Sequence, residues 1–164
     1  MLSSTGLSSV RRSLDYIFRV ALWVAYRLLR LWWYVRQPHH EGAVIAIWLD
    51  DKILMVRHSY RARLSWPGGS VKRGEAPVDA ARRELHEELG LVVGRADLSF
   101  VSGVLERWED RRDHVHIFEM RPNNAPQFRP DGREVIGAEF MTPQAALAVP
   151  LVPFIRTYLE QKVL

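Results

Sequence analysis

Three carboxylates, Glu84, Glu87 and Glu88, sit at i, i+3 and i+4 in the segment PVDAARRELHEELG. At about 100° per residue they fall on one helical face. On a bare helix they repel one another by a few tenths of a kcal/mol per pair. A divalent cation removes that penalty, and hard oxygen ligands select Mg²⁺, with Mn²⁺ as the alternative. Such a cation, held by one or two carboxylates together with substrate phosphates, is the chemistry this triad suggests. The bland alternative is a solvated acidic face, the usual fate of a charge run.

The helix that must carry these acids is legible. Pro77 suits its first turn and Gly90 its exit, and the interior is rich in Ala, Glu, Arg and Leu. Val78, Ala81, Leu85 and Leu89 form an apolar stripe to anchor it on a sheet, leaving Asp79, Arg82 and His86 on the solvated side. Residues 69–91, GSVKRGEAPVDAARRELHEELGL, add a wider pattern. Gly69 is followed by five residues and Glu75, then by seven residues and Arg-Glu-Leu-x-Glu-Glu-x-Gly-Leu. This resembles the Nudix box, the signature of the Nudix hydrolases, at every defining position. The offsets of the glycines and of Arg83 weigh against the solvated-face reading. The resemblance extends, through a compatible order of strands, over residues 41–164 and leaves the first forty uncovered.

The resemblance implies a fold, a Nudix-type α/β/α sandwich with a mixed sheet, and a set of roles. Glu84, Glu87 and Glu88 correspond to the metal-binding glutamates, with the Gly69 carbonyl joining them. One of the three, or a further acid, activates water. Arg83 pairs with and orients a carboxylate, and Glu75 supports without ligating. Pro67-Gly68 bends the chain towards the metals. The implied reaction is metal-dependent hydrolysis of a phosphoanhydride in a nucleoside diphosphate linked to another group, of the nucleoside triphosphate or nucleotide-sugar type. The alternative is a Nudix module that senses a nucleotide or scaffolds a partner without turnover; retention of all three glutamates favours the enzyme.

Outside the box, Glu134 is the first candidate for an additional acid, with Asp131 and Glu106 as rivals. Arg57, His58, Arg61, Arg63 and Trp66 lie just before the box and are candidates for holding substrate, the arginines through bidentate phosphate contacts. Tyr60 and Trp108 join Trp66 as aromatics able to stack on a base. His114 and His116 alternate along one strand, but no third ligand is identifiable, so they read as ordinary strand residues. Proline or tyrosine marks that some Nudix subgroups carry beyond the box are missing, as is the Pro-Gln-Gly-Gly-like entry of RNA-decapping enzymes. The substrate stays open.

The remaining elements follow from pattern. Residues 42–49 (GAVIAIWL) read as a buried strand, Asp50-Asp51 as a turn and residues 52–57 as its hairpin partner. Residues 98–107 and 114–121 read as two strands joined through the turn 108–113, and 134–141 as a last strand. Thr142-Pro143 reads as an N-cap and first helical residue, and 153–162 as a closing helix.

At 164 residues and 48% hydrophobic, the chain can bury a sizeable core. It has no cysteine, which excludes thiolate chemistry. Residues 1–40 hold six arginines against Asp15 alone, whereas the rest has 17 basic and 18 acidic residues. A near-neutral domain argues against specific nucleic-acid binding. Residues 1–40 divide into a basic, aromatic-rich helix over residues 14–35 and a linker over 38–42, ahead of a catalytic domain at 41–164. On a helical wheel Arg12, Asp15, Arg19, Arg27 and Arg30 share one arc, and Ile17, Val20, Ala21, Val24, Leu28 and Leu31 point elsewhere. Its longest uncharged run is too short to span a bilayer. The helix suits peripheral contact with an anionic membrane through residues 12–36. Packing on its own domain, a second subunit (a homodimer) or a partner protein is the alternative. The expected location is cytoplasmic, or at the inner membrane surface.

Overall fold

The computed structural model describes residues 4–36, 39–108 and 111–163. The chain runs α1 (Ser4–Arg36), β1 (His39–Leu49), β2 (Lys52–His58), β3 (Gly68–Ser70), α2 (Pro77–Leu89), β4 (Ser99–Trp108), β5 (Arg111–Met120), β6 (Val135–Met141), α3 (Pro143–Leu147) and α4 (Pro153–Val163). Among the described residues the strands form one mixed sheet in the order β4-β5-β1-β2-β6, with β3 added against β1. β1 runs parallel to β5 from His39↔Arg112 to Ile47↔Met120 and antiparallel to β2 at its far end.

Strand alternation builds the two layers. On β1, Ala43, Ile45 and Ile47 face one side, joined by Leu54 and Val56 of β2, and pack on Ala81, Leu85 and Leu89 of α2. The intervening Ala46 and Trp48, with Ile53 and Met55, face the other side and pack on Ile155, Tyr158 and Leu159 of α4. The runs read as continuous apolar sequence because both faces of the sheet are covered.

Pro77 opens α2 at its first position and Gly90 closes it in the left-handed region (φ 70°), its N–H bonded back to the His86 carbonyl. Thr142 caps α3 by accepting from Ala145 N. Two expectations need correction. Residues 39–42 are not a linker: His39, His40, Glu41 and Gly42 are strand, paired with Arg112, Asp113, His114 and Val115. The parallel neighbour extends β1 through residues whose composition resembles a loop. Likewise Arg111 and Arg112 belong to β5 rather than to a turn, while residues 37–38 and 109–110 and the side chain of Trp108 lie outside the described residues.

α1 docks on the domain through its charged arc. Arg19 donates from Nε and Nη2 to the Gly132 carbonyl (2.9 and 2.7 Å), and Asp15 pairs with Arg133 at 3.2 Å. Tyr26 lies 4.9 Å from Tyr60, ring centre to ring centre. The apolar arc turns outward, with Ile17, Leu28 and Leu31 each 60% or more exposed. No helix among the described residues is long and apolar enough to cross a membrane.

Candidate metal and phosphate site

The three glutamates of α2 are graded by their distance from its apolar stripe. Glu88 borders Ala81 and Leu85 on the wheel and is buried; Glu84 is half-buried; Glu87 is farthest away and exposed. Glu88 Oε2 accepts the Gly68 N–H at 2.9 Å, and its Oε1 lies 3.2 Å from His58 Nε2. Burial pushes the Glu88 carboxyl up to about 8, helped by the charges of Glu134 and Asp131 and opposed by the Gly68 N–H. Burial, then the charge of Arg61, pulls the His58 imidazole down to about 4. Both directions favour the neutral forms.

Arg83 gathers the remaining acids. Its Nε and Nη2 donate to the two Glu75 oxygens (2.9 and 3.1 Å), Nη1 to Glu84 (2.5 Å) and Glu87 (3.2 Å), and Nη2 also to the Ser70 carbonyl (2.9 Å). The fork holds Glu75 well below the ordinary carboxylate range, near about 2, chiefly through the Arg83 hydrogen bond. Glu84 moves upward, because its burial outweighs the attraction of Arg83. Gly69 is pressed against that carboxylate: a Cβ there would lie 2.6 Å from Glu84 Oε1. The neighbouring Gly68 has φ 141° and would place a Cβ 2.2 Å from the Ala43 carbonyl oxygen.

Glu134 reaches the same place from the segment before β6. Its carboxylate accepts from the Tyr60 hydroxyl at 2.6 Å, and its backbone N–H is bound by Asp131 Oδ2 at 3.0 Å. His58, Glu88 and Glu134 bring one ligating atom each within 4.8 Å of one another. Among the described residues, Glu84, Glu87 and Glu88 do not form such a set; Arg83 instead donates to both Glu84 and Glu87. Carboxylate oxygens with one imidazole nitrogen fit a hard or borderline divalent ion. The buried, mutually repelling acids are groups that a cation would relieve. The residues present therefore fit a divalent cation, with Glu88 and Glu134 as candidate oxygen donors beside His58.

Strand alternation explains His58. It continues the α2-facing series Leu54 and Val56, and so meets Glu88 thirty residues later. That alternation was the available signal for pairing it with the acids. Asp131 is spent on backbone N–H groups of Glu134 and Val135, and Glu106 lies on β4, away from the cluster.

A cleft of about 770 Å³ opens beside this cluster. Its lining includes Arg61, Lys72, Arg83, Glu84, Glu87 and Glu134, together with Leu22, Ala25, Tyr26 and Leu29 of α1. The expected substrate-holding residues separate here. Arg61 lines the cleft, packed over the rings of Tyr26 and Tyr60. Arg57 is exposed on β2 and does not line it; Arg63 donates to the Leu151 carbonyl at 3.0 Å. Trp66 is fully buried against Phe154 and Tyr158, so it is core and not a stacking platform. It faces the α4 layer, where an indole fills volume that smaller side chains would leave empty. A third group does join His114 and His116: Glu41 on β1, 2.7 Å from His116 Nε2. It comes from the parallel neighbour, whose register could not be read in the sequence.

Residues 38–161 match the model of the NUDIX domain. The chain belongs to the Nudix family. The MutT protein of Methanosarcina mazei Go1 has the same fold, with a TM-score of 0.66 at 17% identity over 77% of this chain and 94% of that one. Among curated proteins, the probable DHNTP pyrophosphohydrolase of Lactococcus lactis subsp. cremoris is 29% identical over 80 residues, 46% of this chain and 48% of that protein. The RNA pyrophosphohydrolase of Bartonella bacilliformis is 41% identical over 65 residues, 33% and 38% respectively. The chain thus matches less than half the length of these curated relatives.

Proposed function

We propose that this Nudix chain is a divalent-cation-dependent pyrophosphohydrolase, cleaving the phosphoanhydride of a nucleoside diphosphate linked to another group. The observation that carries the reading is the convergence of His58, Glu88 and Glu134 beside a cleft lined by Glu134 itself, Glu84, Arg61, Lys72 and Arg83. The names of the similar curated proteins, a DHNTP and an RNA pyrophosphohydrolase, share that bond type.

When bound, Mg²⁺ or Mn²⁺ supplies Lewis acidity and lowers the pKa of coordinated water. The protein groups do the rest. Arg61 and Lys72 attract and orient the diphosphate, as cationic residues do in phosphoryl-transfer sites. Arg83 fixes Glu84 against Gly69 while leaving Glu87 at the cleft surface. Glu134, held by the Tyr60 hydroxyl, is the acid best placed to take the proton from the attacking water. A screen of nucleoside triphosphates and nucleotide sugars, with Mg²⁺ and with EDTA, tests this. Metal-dependent release of phosphate or nucleoside monophosphate is expected. Ligand-induced melting shifts without any product would replace the enzyme by a sensor.

The outward face of α1 supports peripheral membrane contact. Asp15 and Arg19 of its charged arc are engaged by the domain, its apolar arc faces out, and Trp23 and Trp32 are also exposed, with Arg27 over the Trp23 ring. In a segment with six arginines and one acid, such a face complements an anionic bilayer. Full-length protein should co-sediment with phosphatidylglycerol-containing liposomes, and Leu28→Asp/Leu31→Asp should not. Equal sedimentation of both proteins would defeat the membrane reading.

A further inference from the structure

The cleft has two chemistries. Its lining includes the acids and Arg61, together with Leu22, Ala25 and Leu29 of α1 and Val115, Val152 and Phe154 of the domain. A ligand that satisfies both sets must be amphiphilic, with a charged group and an apolar body. The helix supplying the apolar wall is tied by Arg19 and Asp15 to residues 132 and 133, immediately before Glu134. Its Tyr26 packs on Tyr60, whose hydroxyl holds the Glu134 carboxylate. The apolar residues of α1 and the Glu134 carboxylate are thus parts of one packed unit.

We propose that the group linked to the diphosphate is a long apolar chain, and that α1 is its specificity wall, with Leu22 and Leu29 as specificity-determining residues. This rests on the pyrophosphohydrolase reading above and narrows it. In the reaction, the oxygen of water joins one phosphorus as the bridging oxygen leaves with the other. Two phosphate monoesters result, and the protons of water pass to the products and solvent.

The test compares CDP-diacylglycerol with CDP-glycerol, which share the anhydride and differ in the chain. Full-length protein is assayed with Mg²⁺ in detergent micelles, so that recruitment to vesicles plays no part. We expect kcat/KM for the lipid to exceed that for CDP-glycerol at least tenfold. Leu22→Asp and Leu29→Asp should each lower the ratio of lipid to CDP-glycerol kcat/KM by about tenfold. Leu29 is 42% exposed, so its replacement leaves the core intact; a thermal melt of each variant verifies this. Equal or better turnover of CDP-glycerol, or equal losses on both substrates, overturns the proposal and leaves the pyrophosphohydrolase reading standing. Absence of metal-dependent turnover on these substrates and on every nucleotide in the screen removes both.

Discussion

Two adjacent glycines separate the demands of catalysis from those of folding. At Gly69 an added methyl would meet Glu84 at 2.6 Å (Oε1), 2.7 Å (Cδ) and 2.9 Å (Oε2), with no backbone atom among its three nearest contacts. A flexible side chain can retreat, at about 0.5–1.5 kcal/mol for an off-rotamer carboxylate. Gly69→Ala should therefore melt within a few degrees of the parent protein. The retreat nonetheless displaces Glu84 by about 1 Å, and misplacement on that scale lowers turnover by about 10²-fold, or about 2.7 kcal/mol. Gly68→Ala differs. Its φ of 141° is unfavourable for an L-residue, and its methyl would sit 2.2 Å from the Ala43 carbonyl oxygen and 2.7 Å from Val44 Cα, both backbone. Strained backbone and overpacking together cost about 3 kcal/mol, or roughly 6–12 °C in Tm. The assay pairs thermal melts with Mg²⁺-dependent hydrolysis of the best substrate. Gly69→Ala with parental kcat/KM would refute the claim that the Glu84 carboxylate, where Gly69 holds it, takes part in the reaction.

Arg83→Lys keeps one positive charge but loses the fork that binds Glu75, Glu84, Glu87 and the Ser70 carbonyl. Activity or apparent Mg²⁺ affinity should fall about 10–100-fold, and an unchanged Mg²⁺ titration would contradict this role. Far from the site, burial works to raise the Glu119 carboxyl, but the Tyr158 hydroxyl and Lys162 outweigh it and hold it below its usual value. A depressed carboxylate contributes stability above its unfolded pKa, about 4.3, and loses it as pH falls through the folded value. Glu119→Gln should accordingly lower Tm at pH 7 and flatten the acid limb of the Tm–pH curve below about pH 4.5. Parallel curves for the two proteins would show that this hydrogen-bonded carboxylate contributes nothing.

How much of this was visible in the sequence differs from element to element. α2 was legible from end to end, because Pro77, Gly90 and the Leu85/Leu89 stripe are local signals that the tertiary fold reinforces. β2 and the last strand were legible for the same reason, to within a residue or so. The start of β1 was not, since His39 and His40 are strand only because β5 runs alongside. At the site, the acids of α2 could be named, but their unequal burial arises from which of them borders the stripe. The His58–Glu88 contact and the Tyr60–Glu134 contact join residues 30 and 74 positions apart. Trp66 illustrates the converse: its position before the box suggested a ligand contact, and only the packing of α4 shows that it is core. The wheel of α1 identified both arcs correctly but not which one faces the domain, because Gly132 and Arg133 supply partners for the charged arc.

The most direct test of the acid cluster is the hydrolysis rate of Glu87→Gln/Glu88→Gln across a Mg²⁺ titration, on the best substrate of the screen. Turnover should stay at the level of EDTA-treated parent protein at every Mg²⁺ concentration, while the variant remains folded by circular dichroism. Turnover at the parental rate would contradict the account at its root.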